Sequence, residues 1–182
     1  MREYRTKRLV LKVVDSTYAD KVLDYQLRNK RFLKRWEPRK ANNYYDIYHQ
    51  KKILVKELQA ITRGDMLRLW VLKKDDMDRI IGSVSFTSIE RHAFLSCYLG
   101  YRLDQNETNK GYMTEAVRKG ISIMFNQYKL HRIEADIMPN NVSSLRVAQR
   151  LNFINEGISY KFLKINGRWE DHIRMVKFNH RV

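Results

Sequence analysis

Asn109-Lys110-Gly111-Tyr112-Met113 joins a strand-like run ending at Tyr101 to an amphipathic helical pattern that begins near Gly111. A loop that ends in glycine and opens a helix turns several backbone N–H groups toward one spot, which suits a bound phosphate or pyrophosphate. The stretch therefore points to an acidic, nucleotide-like cofactor. A glycine ahead of a helix is also an ordinary helix entry, so the neighbouring residues decide between the two readings. Leu95, Cys97, Leu99 and Tyr101 alternate with Phe94, Ser96, Tyr98 and Gly100, which reads as a strand covered on both faces, with Gly100 a place for a bulge. A strand that bends away from its neighbour beside such a helix start leaves unpaired backbone groups, against which an extended, amide-containing ligand can lie.

Downstream, Met113, Ala116, Val117, Gly120, Ile121 and Met124 give the clearest helical period in the chain, over residues 111–126. Ile133, Ala135 and Ile137 alternate with Glu134, Asp136 and Met138 as the next strand, and Pro139 with two asparagines ends it. A short helix follows, from 142 or 143 to 151. Residues 158–165 and 168–176 flank Asn166-Gly167, a strong two-residue hairpin signal. Upstream, residues 9–14 read as a first strand, and Ser16 or Thr17 can cap a helix carrying Ala19, Val22, Leu23 and Leu27. Residues 32–42 read as loop. A helix over 45–62 buries Ile47, Leu54, Leu58 and Ile61, with Gly64 just beyond its end. Strands at 66–73 and 79–88 enclose the polar turn Asp75-Asp76-Met77-Asp78. The sum is a mixed sheet of about six or seven strands with about four helices.

A length of 182 residues, 43% hydrophobic and 31% charged, fits one globular domain over residues 1–182 with enough core to fold without staples. Charges interrupt every apolar stretch, so no membrane span or signal peptide is expected, and the default address is the cytoplasm. Cys97 is the single cysteine, which excludes an internal disulfide and a zinc site built on several thiolates. Its apolar setting reads as a buried, inert thiol rather than an acyl-carrying nucleophile. The histidines at 49, 92, 131, 172 and 180 show no ligand spacing, so no metal is expected. The net charge of +16 draws polyanions, and the excess clusters at Arg28, Lys30, Arg31, Lys34, Arg35, Arg39 and Lys40. That run is either solvated surface or a contact with RNA.

Several stretches together carry a family resemblance: Phe32-Leu33-Lys34, Trp36-Glu37-Pro38, Ile81-Gly82, Cys97-Tyr98-Leu99-Gly100-Tyr101, Met138-Pro139-Asn140-Asn141, Leu151-Asn152-Phe153, and Asn166-Gly167-Arg168-Trp169 with Asp171-His172. Nearly end to end, the chain resembles the GNAT acetyltransferases of the RimJ/RimL type, which acetylate the N-termini of ribosomal proteins. The resemblance implies an α+β fold of α/β/α layers, with a mixed, mostly antiparallel sheet and a splayed central strand pair. It also implies acetyl-CoA as co-substrate, its pantetheine arm lying along the splayed strand. The family pattern places Gln, Arg or Lys at the position of Asn106 and glycine at that of Asn109. It likewise has glycine at the position of Asn152. Asparagine is the non-glycine residue best suited to a left-handed backbone, so both turns are expected to survive.

Moving an acetyl group from a thioester to an amine needs a neutral amine, a polarised carbonyl and a proton for the departing thiolate. A backbone N–H near Leu99 is the expected carbonyl donor. The cofactor-binding set comprises Tyr98, Leu99, Gly100, Asn106, Asn109, Lys110, Gly111, Tyr112, Met113 and Asn141. Ser144 is the candidate proton donor on the resemblance, with Asn141 binding the pantetheine arm; capping of the short helix by Asn141, Ser143 or Ser144 is the alternative role. Asp136 stands where related N-terminal acetyltransferases carry a strand acid, and Glu134 shares its face. Either is a candidate base once burial or a second acid raises its pKa, and pairing with surface cations is the alternative. Glu37 is the third acid, in a loop that the resemblance sets beside the acceptor. Trp36, Tyr160, Trp169 and His172 are expected to shape the acceptor cleft, with His172 a further candidate base.

The acceptor on this reading is the N-terminal α-amine of a ribosomal protein. A small amine is the rival among enzymes, and an RNA- or ribosome-binding factor acting through residues 28–40 is the rival outside them. Monomer and homodimer both stay open.

Overall fold

A computed structural model describes residues 2–181. The chain builds one eight-stranded sheet. In chain order its elements are β1 (Glu3–Arg5), β2 (Leu9–Lys12), α1 (Ala19–Leu33), α2 (Ile47–Arg63), β3 (Leu67–Lys73), β4 (Asp76–Glu90), β5 (Ser96–Leu103), α3 (Tyr112–Asn126), β6 (Arg132–Ile137), α4 (Val142–Arg150), β7 (Ile154–Ile165) and β8 (Arg168–Phe178). The strand order is β1-β2-β3-β4-β5-β6-β8-β7, and only the β5–β6 pair is parallel. The strand beyond the expected six or seven is β1, whose three residues, exposed at both ends, are too short to show a period.

Each face of the sheet has its own core. On one face α3 buries Met113, Ala116, Val117, Ile121 and Met124 against Leu9, Leu11, Leu69, Val84, Phe86 and Cys97. Gly120 permits that approach, because a Cβ there would stand 2.7 Å from the Phe86 ring. On the other face α1 and α2 cover Trp70, Leu72 and Ile80 with Val22, Tyr25, Leu33 and Leu54, and Tyr25 meets Trp70 edge-on. Burying each of these large side chains contributes about 1.5–3 kcal/mol.

Local signals explain most boundaries. Gly64 ends α2 in the left-handed region at φ +83°, and Asp46 caps its start through the His49 N–H. Asn166 and Gly167 turn the β7–β8 hairpin at φ +48° and +90°. Asn109 and Asn152 sit at φ +62° and +57°, the left-handed backbone expected of them.

Four local expectations are corrected. Asp15, rather than Ser16 or Thr17, caps the short 3-10 turn ahead of α1, accepting from the Thr17 N–H and hydroxyl. Leu27 faces solvent, because α1 turns Tyr25, Gln26 and Asn29 inward instead. The first helix continues through Leu33 into a 3-10 turn at Lys34–Trp36, so residues 32–36 are not loop. Over the first half of β5 only one face is covered: Cys97 and Leu99 are buried while Tyr98 and Gly100 are exposed. Gly100 pairs regularly with Ser85, and the register break lies between Thr87 and Glu90 of β4.

Candidate active site

The parallel pairing of β5 with β6 runs from Ser96–Arg132 to Tyr98–Glu134 and then stops. Beyond that point β6 keeps its antiparallel partner β8 to Ile137–Ile173, while β5 follows β4 to Leu103–Gly82. The two strands therefore part in the middle of the sheet. At the end of β5 the Asp104 N–H bonds the Ile81 carbonyl of β4. Backbone polar groups alternate sides along a strand, so beyond the last pair the Leu99 carbonyl and both the N–H and the carbonyl of Tyr101 are directed into the gap. The last pairing, Tyr98–Glu134, occupies the Leu99 N–H, so the first backbone N–H of β5 that faces open space is that of Tyr101, two residues beyond the place where a carbonyl donor was expected.

A cavity of about 700 Å³ runs through this gap. Toward α3 and α4 it is lined by Asn109, Gly111, Met113, Asn141, Ser144 and Arg146. Toward α1 and α2 its walls include Phe32, Trp36, Glu37, Arg68, Asp136 and His172.

The loop on the first side has the geometry of an anion cradle. Asn109 and Gly111 are both left-handed, at φ +62° and +77°, and the first helical bond of α3 is Glu115 N–H to Gly111 O. The N–H groups of Tyr112, Met113 and Thr114 therefore lack helical partners, as in any first turn. Behind the loop, buried Asp104 accepts from Arg28 Nη1 at 2.7 Å, from Arg79 Nη2 at 3.1 Å and from the Asn106 N–H at 3.0 Å. Asn29 of α1 accepts from the Gln105 N–H, so the loop is tied down at its start. Arg8 donates to the Lys110 carbonyl and stacks on Tyr112 at 4.5 Å. Arg146 and Arg150, one helical turn apart on α4, are exposed, line the cavity and carry no salt bridge among the described residues.

These features fit coenzyme A. The cradle and the two free arginines suit its phosphates, and the unpaired edge of β5 suits the amides of its pantetheine arm.

Across the sheet the acids differ. Burial raises the Asp136 carboxyl above its ordinary pKa; Arg174, whose Nε lies 3.4 Å away, opposes this, and the neighbouring charge of Glu134 adds to it. Burial also acts to raise Glu37, but Arg102 at 2.9 Å and Lys40 at 3.2 Å outweigh it and hold that carboxyl below its ordinary range. Glu134 bonds Arg132 at 2.8 Å and stays out of the cavity.

His172 is buried against Phe162, with its Nδ1 3.0 Å from the Glu170 carbonyl oxygen. On α4 the Asn141 side chain caps the helix through the Ser144 N–H, and the Ser143 hydroxyl donates to it as well. The Asn141 oxygen is thus spent on the cap, the alternative role suggested for it.

Of the residues singled out in the sequence, Leu99, Gly100, Asn109, Gly111, Met113, Asn141, Ser144, Asp136, Glu37, Trp36 and His172 line the cavity. Tyr98, Asn106, Lys110, Tyr112, Glu134, Tyr160 and Trp169 do not. Tyr98 points to the exposed face of β5, and the Lys110 ammonium pairs with Glu107 at 3.0 Å. Tyr160 and Trp169 stand in solvent at 76% and 60% exposure, because the hairpin carries them past the cleft rather than into it.

Sequence reasoning missed Tyr101, whose hydroxyl donates to the Ser144 carbonyl at 2.8 Å and so straps α4 to β5 across the gap. Burial keeps that phenol protonated. It also missed the Arg102–Glu37 and Arg68–Glu57 pairs, which join distant segments and leave no local pattern. Arg146 and Arg150 were legible as an i, i+4 pair of cations.

Residues 8–154 match the acetyltransferase (GNAT) domain family. The chain is 37% identical over 166 residues to the probable N-acetyltransferase YjcK of Bacillus subtilis, covering 91% of each. It is 35% identical over 170 residues to the [ribosomal protein uS5]-alanine N-acetyltransferase of Escherichia coli, covering 92% of this chain and 86% of that one. The crystal structure of the ribosomal-protein-S5-alanine acetyltransferase from Vibrio fischeri superimposes with a TM-score of 0.94 at 32% identity, over 99% of this chain and 98% of that one. The family uses acetyl-CoA. By sequence, by fold and by the cavity at its parted strands, the chain belongs to the GNAT family and is an N-acetyltransferase.

Proposed function

We propose that this protein acetylates the α-amine of a protein N-terminus, that of a ribosomal protein, by direct transfer from acetyl-CoA. The observation that carries the reading is the single cavity at the parting of β5 and β6, which joins the N–H cradle on one side of the sheet to the Asp136 carboxyl on the other. The similarity to the uS5-alanine enzymes supports the acceptor class. A ribosomal acceptor also puts the enzyme in the cytoplasm.

Acetyl-CoA supplies an activated thioester carbonyl. The Tyr101 N–H, the first on β5 beyond the pairing with β6, donates to the carbonyl oxygen as negative charge builds on it. Asp136 takes a proton from the α-ammonium group; the ordinary pKa near ~8 of that group, lower than a lysine's, and the raising of the carboxyl by burial both lessen the uphill transfer. The amine nitrogen then forms a bond to the carbonyl carbon, and the carbon–sulfur bond breaks. Ser144 gives its hydroxyl proton to the leaving thiolate and is reprotonated by the second proton that the nitrogen sheds as it becomes the amide. Asp136 stands ahead of Glu37 as base because Arg102 and Lys40 hold Glu37 ionised and occupied. Glu37 instead fixes Arg102 in the acceptor wall.

The test is an acceptor panel at equal concentration: peptides beginning with Ala, Ser, Met or Lys, the same peptides blocked at the α-amine, and small amines such as spermidine. Release of CoA with unblocked peptides and none with blocked ones is expected. Turnover confined to small amines or to lysine side chains would reject the acceptor assignment.

A further inference from the structure

Next to the acceptor side of the cavity lies a second cleft, of about 160 Å³. Leu33, Glu37, Pro38 and Lys40 line both, so the segment that follows α1 is their common wall. The basic run of the sequence gives this cleft its charge. Lys30, Lys34, Arg39 and Lys40 line it, and Glu37 is its one acid among the described residues. Glu37 is already held by Arg102 at 2.9 Å and Lys40 at 3.2 Å, and Lys30 lies over the Tyr45 ring at 4.2 Å. Lys34 and Arg39 are exposed and take part in no salt bridge among the described residues. Their charge is left uncompensated by the fold.

Two side-chain amides complete the lining. Gln26 of α1 is only 4% exposed, yet its amide makes no hydrogen bond among the described residues. A buried amide without a partner is costly, and such groups are met by water or by a ligand. Asn166, at the tip of the β7–β8 hairpin, donates to the Lys34 carbonyl and so fixes the backbone from which that lysine projects. An amide donor beside two free cations is the set of groups that a carboxylate takes. Tyr45 is the only ring in the lining among the described residues, and Lys30 covers it, so the cleft offers no platform on which a base could stack. Within the cavity each acid has its own cation: Glu37 has Arg102, Glu57 has Arg68 and Asp136 has Arg174. An acidic acceptor therefore meets no unpaired acid on its way in.

We propose that this cleft binds a carboxylate side chain of the acceptor peptide. Gln26 donates to it through the amide, Lys34 and Arg39 supply the charge, and the enzyme selects N-termini followed within a few residues by Asp or Glu. The assignment rests on the peptide-acceptor reading given above. An extended chain advances about 3.3 Å per residue, so a peptide leaving the cavity over the common wall reaches the cleft a few residues from its amine.

The test is steady-state kinetics of the full chain at saturating acetyl-CoA. The acceptors are short peptides that begin with alanine in a glycine-serine background, with a single Glu, Gln or Lys moved from the third to the sixth residue. At one position Glu should give a KM at least about tenfold below that of Gln, with Lys above Gln, and kcat should change less than about threefold. Added salt should shrink the difference. Lys34→Glu with Arg39→Glu should invert the order, raising the KM of the Glu peptide at least about tenfold and lowering that of the Lys peptide. Lys74→Glu with Arg118→Glu makes the same charge change in the β3–β4 turn and on α3, and should leave the preference within about threefold. Gln26→Leu should weaken the preference about threefold or more without lowering the melting temperature, because it removes an amide that has no partner inside the fold. Unfolding curves and acetyl-CoA titration establish that each variant is folded.

Equal KM values for the Glu, Gln and Lys peptides at every position, or a preference for Glu that survives the charge reversal, would overturn the cleft while leaving peptide acetylation in place. Stronger displacement of the Glu peptide by single-stranded RNA than by poly-glutamate of equal charge would replace the carboxylate by a nucleic acid. Absence of turnover with every peptide would overturn the acceptor reading itself, and this assignment with it.

Discussion

Gly111→Ala isolates the anion cradle. Gly111 holds φ +77° and ψ 3°, and a Cβ added there would meet only Arg8 Nη2 at 3.4 Å, an ordinary contact. The cost is therefore backbone strain alone, about 1–2 kcal/mol for an L side chain in the left-handed region. Against global unfolding, up to ~1 kcal/mol of this is offset because alanine restricts the unfolded chain. The net loss of about 0–1.5 kcal/mol lowers the melting temperature by at most about 6 °C at this chain length. Cofactor binding has no such offset. If the loop relieves its strain by leaving the left-handed region, the competent conformer is disfavoured by the full 1–2 kcal/mol, and acetyl-CoA affinity falls about 5- to 30-fold. Gly120→Ala supplies the contrast. Its Cβ would stand 2.7 Å from the Phe86 ring, an overpacking cost of about 1–3 kcal/mol, partly offset by ~1 kcal/mol of helix propensity, and it lies away from the cradle. Calorimetric titration with acetyl-CoA, run beside thermal unfolding, separates the two. Unchanged affinity in Gly111→Ala with a melting temperature that is not lowered, the sign that the loop has left the left-handed region, would refute the assignment of the loop to the phosphates.

Asp136→Asn is expected to slow peptide acetylation by about 10²–10⁴-fold. In the unmodified enzyme the acid limb of kcat/KM should lie above the ordinary aspartate range and vanish in the variant, because burial raises this carboxyl. The raised pKa means that folding favours the neutral form, so the charge costs nothing below the unfolded pKa and its full amount above the folded one. The same variant should therefore melt higher at pH 7, and a lower melting temperature there would count against a raised carboxyl. Tyr101→Phe deletes the bond to the Ser144 carbonyl and should cost about 0.5–1.5 kcal/mol while raising the KM for acetyl-CoA, as steady-state kinetics would reveal. Burial, with a smaller contribution from Glu134, pushes the Cys97 thiol up to about 12. Cys97→Ala should accordingly keep kcat within about threefold, and intact-protein mass spectra with acetyl-CoA alone should show no acetylated enzyme.

Backbone conformation was legible wherever a residue type has one physical reason to be present. Asn166-Gly167, Gly64 and the asparagines at 109 and 152 all adopt the left-handed geometry that their chemistry favours. Periodicity located α3 because its buried positions, from Met113 to Met124, follow a single stripe. It failed in α1, where polar Gln26 and Asn29 are buried and Leu27 is not; Asn29 earns its place by bonding the loop at Gln105. It also overstated the covering of β5, since an apolar tyrosine ring at 98 reads the same in sequence whether or not a helix lies over it.

Within the site, several residues carried by a motif reached the cavity, from Asn109 and Gly111 through Asn141 and Ser144 to Asp136, while Asn106, Lys110 and Tyr112 of the same loop did not. Residues that depend on tertiary pairing stayed hidden. Glu37 looked like a free acid until Arg102, 65 residues away, closed on it. Tyr160 and Trp169 looked like cleft residues because the hairpin's place at the edge of the sheet, beyond β6, is set by strand order rather than by local sequence.

The most direct measurement follows one acetyl group. The enzyme is mixed with acetyl-CoA labelled in the acetyl moiety and a peptide beginning with alanine, and the product is fragmented in a mass spectrometer to locate the label. Label on the α-nitrogen at a rate that saturates in both substrates, and that collapses in Asp136→Asn, is the expected result. Label elsewhere on the peptide, or none above the enzyme-free background, would contradict the assigned function.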